Sequence, residues 1–207
     1  MRSRLDACGG RGVRIVAVTK GFDVSAIRAA VAAGLDLIGE NYAQEAVPKI
    51  SAARAEGLRF EAHFIGHLQS NKVRMLAPAI DVWQTVDRES LLPAIAQRAP
   101  GARVFIQVNA TDEPDKGGVV PGGVGALVEA ARTLGLGVAG LMTVGPTNEE
   151  PVLTRQAFRT VRSLVDEFGL AECSMGMSGD LEIAVDEGST LVRVGTALFG
   201  GRPARGS

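Results

Sequence analysis

Short apolar or β-branched runs recur along this chain about every 20 to 30 residues, and most are followed by an Ala- and Leu-rich stretch of helical character. The pattern predicts eight strands: RIVAVTK (14–20), LDLIGE (35–40), AHFIG (62–66), VWQTVD (82–87), RVFIQVN (103–109), VAGLMTV (138–144), ECSMGM (172–177) and TLVRVG (190–195). The helix candidates between them are VSAIRAAVAAG, NYAQEAVPKISAARAEG, QSNKVRMLA, ESLLPAIAQRA, GGVGALVEAARTLG, VLTRQAFRTVRSLVDEFG and DLEIAVDEG. Strict alternation implies parallel strands, because each crossover helix must return the chain to the same end of the sheet. Such a sheet is either open and doubly wound or closed as a (β/α)8 barrel. About eight units in 207 residues suit a compact barrel, whose lower size limit is roughly 200 residues. The expectation is therefore an α/β fold with one TIM-barrel domain over 1–207, and the open sheet ranks second. Only the short segment 1–12 precedes the first strand, which leaves little room for a helix closing the barrel floor.

Composition narrows the function classes. With 46% hydrophobic and 22% charged residues and a formal charge of −1, the chain carries no field that would collect nucleic acid or an anionic membrane. Cys8 and Cys173 are far apart and lack CxxC spacing, so neither a disulfide framework nor a zinc site is expected. The N-terminal MRSRLDACGGRG has no apolar signal-peptide core, and no apolar run approaches the roughly 20 residues that cross a bilayer. A cytoplasmic protein with two reduced thiols is expected.

In such a barrel the chemistry sits at the carboxyl ends of the strands. The polar residues there are Lys20, Glu40 and Asn41, His63 and His67, Asn109, Thr143 beside Met142, Ser178, and Arg193 with Gly195 and Thr196. Each has an ordinary explanation when taken alone. A strand-end lysine usually reaches solvent. His63 and His67 straddle a strand end, so the i, i+4 spacing carries no helical metal-ligand geometry. Asn41 and Ser178 sit where N-caps of the following helices would be. GGVVPGGVG (117–125) looks like a dinucleotide loop but does not directly follow its strand, and it reads as a loop entering a helix.

The last two units are more specific. SMGMSGD and RVGTALFG place small residues at the seventh and eighth strand-to-helix junctions, where a backbone can approach a ligand and helix-start N–H groups attract an anion. The loops after strands 7 and 8 are a frequent phosphate site in these barrels. An amine, a phosphate cradle and a charged group for a ring nitrogen are what a pyridoxal phosphate site requires. Strand alternation puts Arg193 on the side of Leu191 and Gly195, and a guanidinium can only donate to the ring nitrogen.

VAVTK, IGENYAQEAVPKI, HFIGHLQSNK, VNATDEPDKGG, GLMTV and SMGMSGDLEIAVDEGSTLVRVGTALFG together resemble the pyridoxal-phosphate-binding proteins of the YggS/PROSC type, from Val13 to Gly200. That family is implicated in pyridoxal phosphate homeostasis and shares the fold-type-III barrel of alanine racemase's N-terminal domain, without the racemase's C-terminal β domain. The resemblance implies that Lys20 forms the Schiff base, that Ser178, Gly195 and Thr196 hold the phosphate, and that Arg193 faces the pyridine nitrogen. It places Asn41, His63 and Met142 along the pocket. Lys116 matches the family pattern but reads only as a solvated loop charge. Family members usually carry a longer helix before the first strand than 1–12 can supply.

Two functions compete. The first is a non-catalytic carrier or regulator that binds the cofactor, works as a monomer and serves pyridoxal-phosphate-dependent apoenzymes, with no nucleic-acid or membrane partner. The second is an amino-acid racemase, which needs acid–base groups on both faces of the substrate's Cα. The barrel is expected to use the whole chain, leaving no domain to bring an opposing base, and Tyr42 is the only tyrosine. The carrier reading ranks first. A ligand-free interaction scaffold would leave Lys20, Arg193 and both junctions without a role.

Overall fold

The computed structural model describes residues 1–201, and residues 202–207 of the expected domain lie outside them. Eight parallel strands close in chain order: β1 (Arg14–Val18), β2 (Leu37–Glu40), β3 (Glu61–Phe64), β4 (Val82–Val86), β5 (Arg103–Gln107), β6 (Gly137–Met142), β7 (Glu172–Ser174) and β8 (Leu191–Val194). β8 pairs with β7 and with β1, Val16 lying opposite Arg193, and this closure distinguishes the barrel from the open sheet. The predicted strands fall on these eight but all except the second run too far at their carboxyl ends, most of all 172–177 against Glu172–Ser174. There the ladder thins to single bonds, such as Met175 N–H to Leu191 O at 3.1 Å, as the chain leaves for the loops.

The helices are α1 (Arg2–Ala7), α2 (Val24–Ala32), α3 (Ala43–Ala55), α4 (Ser70–Leu76), α5 (Leu92–Arg98), α6 (Val124–Thr133), α7 (Pro151–Glu167), α8 (Leu181–Asp186) and α9 (Thr196–Phe199). GGVVPGGVG does enter a helix, through a 3-10 turn at Pro121–Gly123 that leads into α6. Strand alternation sorts the core into two layers. Outward residues such as Ile38, Phe64, Trp83 and Ile106 pack beneath the helices. Val16, Leu37, Val82, Phe105, Met142 and Leu191 pack together in a second cluster inside the barrel.

The short N-terminal segment lies on the side of the barrel. It is helical, and α1 covers the outside of the barrel, with Leu5 wholly buried among Val13, Ile15, Leu181, Val192 and Val194. The strand members of that cluster have outward parity, so α1 stands in the outer helical layer beside α8. α9, with four residues, reaches the same cluster only through Leu198, and α1 supplies the buried Leu5. Arg2 fastens the entry into β1 by donating to the carbonyls of Val13 (2.8 Å) and Gly10 (2.6 Å). Among the described residues no helix is long and apolar enough to cross a membrane.

Candidate functional site

A cavity of about 550 Å³ opens at the carboxyl ends of the strands. Lys20, Asn41, Ser178, Arg193, Gly195 and Thr196 all line it, although they come from four different strand ends. His63 and Met142 do not. They lie inside the barrel, 1% and 2% exposed, and form no part of that wall.

Val16 and Val18 alternate inward along β1, and the same parity carries Lys20 to the mouth. Lys20 occupies a corner of a turn closed by Phe22 N–H to Thr19 O (3.2 Å), and Gly21 supplies the positive φ of +77° that the turn needs. Beneath the turn, the buried Lys49 of α3 meets Glu40 at 2.6 Å, and Thr19 Oγ1 donates to the same carboxylate. Burial pushes the Glu40 carboxyl up, against the pull of the Lys49 ammonium.

The N-cap readings of Asn41 and Ser178 are overturned. Tyr42 occupies the N-cap of α3 and Asp180 that of α8, so each predicted residue stands outside its helix. Asn41 Oδ1 is instead buried beside the cavity with no hydrogen-bond partner. Asp180 Oδ1 accepts from Met177 N–H at 2.5 Å. The Ser178 carbonyl accepts from Arg4 Nη1 at 2.9 Å, and Arg4 also grips Glu182 through two bonds of 2.6 and 2.7 Å. In this way α1 tethers the β7–α8 loop.

Arg193 is buried inside the barrel, on the side of Leu191. Its Nη1 donates to Ser174 O (2.8 Å) and Ser174 Oγ (2.9 Å), and its Nη2 to Thr143 O (2.6 Å). Burial lowers its pKa to about 10, which leaves it a cation at neutral pH. Ser174 Oγ donates to Gln84 Oε1 at 2.7 Å, and Gln84 Nε2 lies 2.7 Å from His63 Nδ1. An amide nitrogen only donates, so Nδ1 is the acceptor and His63 Nε2 carries the proton toward Glu61 at 2.8 Å. The bond from His63, aided by Arg103, holds the Glu61 carboxyl down to about 2. A column with one donor direction thus runs from Arg193 to the far end of the barrel. Sequence reading places His63 but misses Ser174 and Gln84, whose only signal is inward parity with their neighbours.

Lys116 also departs from its reading as a solvated charge. Its side chain is 15% exposed and lines the cavity, with Nζ donating to Gly145 O (2.5 Å) and Glu113 Oε1 (3.1 Å). Among the described residues no group of three or more His, Cys, Asp or Glu side chains could hold a metal ion. His67 is exposed, away from the buried His63.

The family model described as alanine racemase, N-terminal domain, matches residues 2–203. The pyridoxal phosphate homeostasis protein of Pseudomonas aeruginosa is 41% identical over 197 residues, 92% of this chain and 85% of that protein. The chain belongs to the pyridoxal phosphate homeostasis protein family. Among solved structures, PipY of Synechococcus elongatus with pyridoxal phosphate bound superposes with a TM-score of 0.84 at 32% identity, covering 96% of this chain and 99% of that one. Alanine racemase of Clostridium difficile, at 16% identity and a TM-score of 0.77, shares the fold, with 99% of this chain covering 57% of the racemase.

Proposed function

We propose that this chain binds pyridoxal phosphate at the barrel mouth through Lys20 and acts in its homeostasis as a non-catalytic carrier. The observation that carries the reading is the convergence on one cavity of the Lys20 amine, the Arg193 guanidinium and the small-residue junctions after β7 and β8. These groups fit the cofactor's chemistry. An amine condenses with an aldehyde to an imine with release of water, first-turn N–H groups and Ser178 and Thr196 hydroxyls suit a phosphate, and Arg193 can donate to a ring nitrogen. The unpartnered Asn41 Oδ1 leaves one buried acceptor for a ligand donor. Space also fits, since a small-molecule pocket is typically about 300 to 1,000 Å³. The family name of the relatives and the pyridoxal phosphate bound to PipY support the same ligand.

The test is to load the protein with pyridoxal phosphate, trap with borohydride and map the adduct by peptide mass spectrometry. An adduct on Lys20 is expected, and its absence there defeats the reading. Incubating the loaded protein with single amino-acid enantiomers then tests the carrier role. Measurable racemisation would replace the carrier with an enzyme.

A further inference from the structure

The strongest unexplained feature lies behind Lys20. Lys49 sits in the body of α3 with its side chain 5% exposed. An ammonium has three N–H donors, and here three acceptors meet them: Glu40 Oε1 at 2.6 Å, Thr19 O at 2.7 Å and Phe22 O at 2.9 Å. The two carbonyls stand on either side of Lys20–Gly21. Thr19 Oγ1 donates to the Glu40 carboxylate that Lys49 holds, and Gly21 N–H donates to Glu45 Oε2 at 3.0 Å, one turn before Lys49 on the same helix. Thr19 N–H is bonded to Gly39 O at 3.0 Å. The turn bearing Lys20 is therefore held from below by β2 and α3, through main-chain groups on both sides of the lysine.

Stability alone does not account for this arrangement. A buried ion pair replaced by apolar residues of similar volume is often neutral or stabilising, because desolvation offsets the Coulomb gain. What an apolar pair cannot supply is two directed bonds to the carbonyls of a turn.

We propose that Lys49, with Glu40 and Glu45, is a positioning group that fixes the β1–α2 turn so that the Lys20 amine faces the cavity in a geometry fit to capture an aldehyde. The inference rests on the reading of Lys20 as the binding amine. It also divides the labour between two lysines: Lys49, with every N–H engaged, serves as the clamp, and Lys20 serves as the reactive amine.

Three proteins decide the matter: wild type, Lys49→Met, and the double variant Glu40→Gln/Lys49→Met, which leaves no buried charge unpaired. Lys49→Met alone is expected to melt lower, since it strands Glu40. The double variant is expected to recover the thermal stability but not the positioning. Its rate of imine formation with pyridoxal phosphate, followed by stopped-flow absorbance, should stay about 10- to 100-fold below wild type, the scale of a misplacement near 1 Å. A readout independent of the cofactor is amide hydrogen exchange at Phe22, whose N–H closes the turn on the Thr19 carbonyl that Lys49 holds; in the ligand-free double variant it should speed up at least tenfold.

A stable double variant with wild-type capture rate overturns the proposal, whatever its exchange. Unchanged protection at Phe22 overturns it equally. If wild type gives no adduct on Lys20, the functional reading fails by itself, and the exchange measurement still reports on the clamp.

Discussion

Leu5→Ala tests the part of the fold that sequence reading underrated. Leu5 has no exposed surface and is enclosed by Val13 and Ile15 of the first strand region, Val192 and Val194 of β8, and Leu181 of α8. A buried Leu→Ala change costs about 2 to 5 kcal/mol, from lost transfer free energy plus the cavity left behind. The six-residue α1 can settle partly into the void, so a value near 3 kcal/mol is expected. For a chain of this size each kcal/mol lowers Tm by roughly 2 to 4 °C, giving a fall of about 6 to 12 °C. Thermal melting of the ligand-free protein followed by far-ultraviolet circular dichroism measures it. Arg4→Ala is the control: its exposed pair with Glu182 is worth about 0.2 to 1 kcal/mol, so Tm should fall by no more than about 4 °C. A Leu5→Ala protein melting within about 2 °C of wild type would refute the packing of α1 against β8 and β1.

Gly66→Ala would place a Cβ 2.0 Å from the Asn41 carbonyl oxygen, so backbone must move beside the cavity; a stability loss of about 1 to 3 kcal/mol in urea unfolding and weaker pyridoxal phosphate binding by absorbance titration are expected. Gln84→Leu keeps the volume of the barrel interior but strands His63 Nδ1 and the Ser174 hydroxyl, and it should cost about 2 to 4 kcal/mol in the same unfolding experiment. Glu61 has a folded pKa of about 2 against an ordinary 4.5, so its stabilisation is complete above the ordinary value and is lost as pH falls through that window. Urea midpoints measured from pH 5 to pH 2 should therefore fall less steeply for Glu61→Gln than for wild type.

The barrel was legible because its two periodicities are local. β-branched runs such as RIVAV and Ala-rich runs such as VSAIRAAVA declare themselves without reference to partners, and parallel closure follows from their alternation. Strand-end polar residues were legible for the same reason, and six of the eight predicted site residues meet at the cavity. What stayed hidden depends on contacts distant in sequence. Asn41 and Ser178 resemble N-caps until the helix starts are fixed one or two residues later, at Tyr42 and Asp180. Lys116 looks solvated in DEPDKGG because its acceptor, Gly145 O, is 29 residues away. Lys49 looks like an ordinary helix-surface lysine in VPKI, and only folding brings Glu40, Thr19 and Phe22 around it.

The polar column under the cavity bears on how the proposed site would hold its ligand. A buried guanidinium must find acceptors, and Arg193 takes Ser174 O, Ser174 Oγ and Thr143 O at the tips of β7 and β6. Ser174 in turn spends its proton on Gln84, and Gln84 spends an amide hydrogen on His63. Below Arg193, each donor in the column points away from the cavity, ending on Glu61. Asp180 on the same cavity wall acts on Arg193 by its charge, and Arg193 itself, with a pKa of about 10, gives up no proton at neutral pH. A ring nitrogen facing Arg193 would accept a hydrogen bond and stay unprotonated, which makes the ring a weaker electron sink. The proposed binding thus depends on the hydrogen bonds that hold Arg193 from below as well as on the amine at the rim.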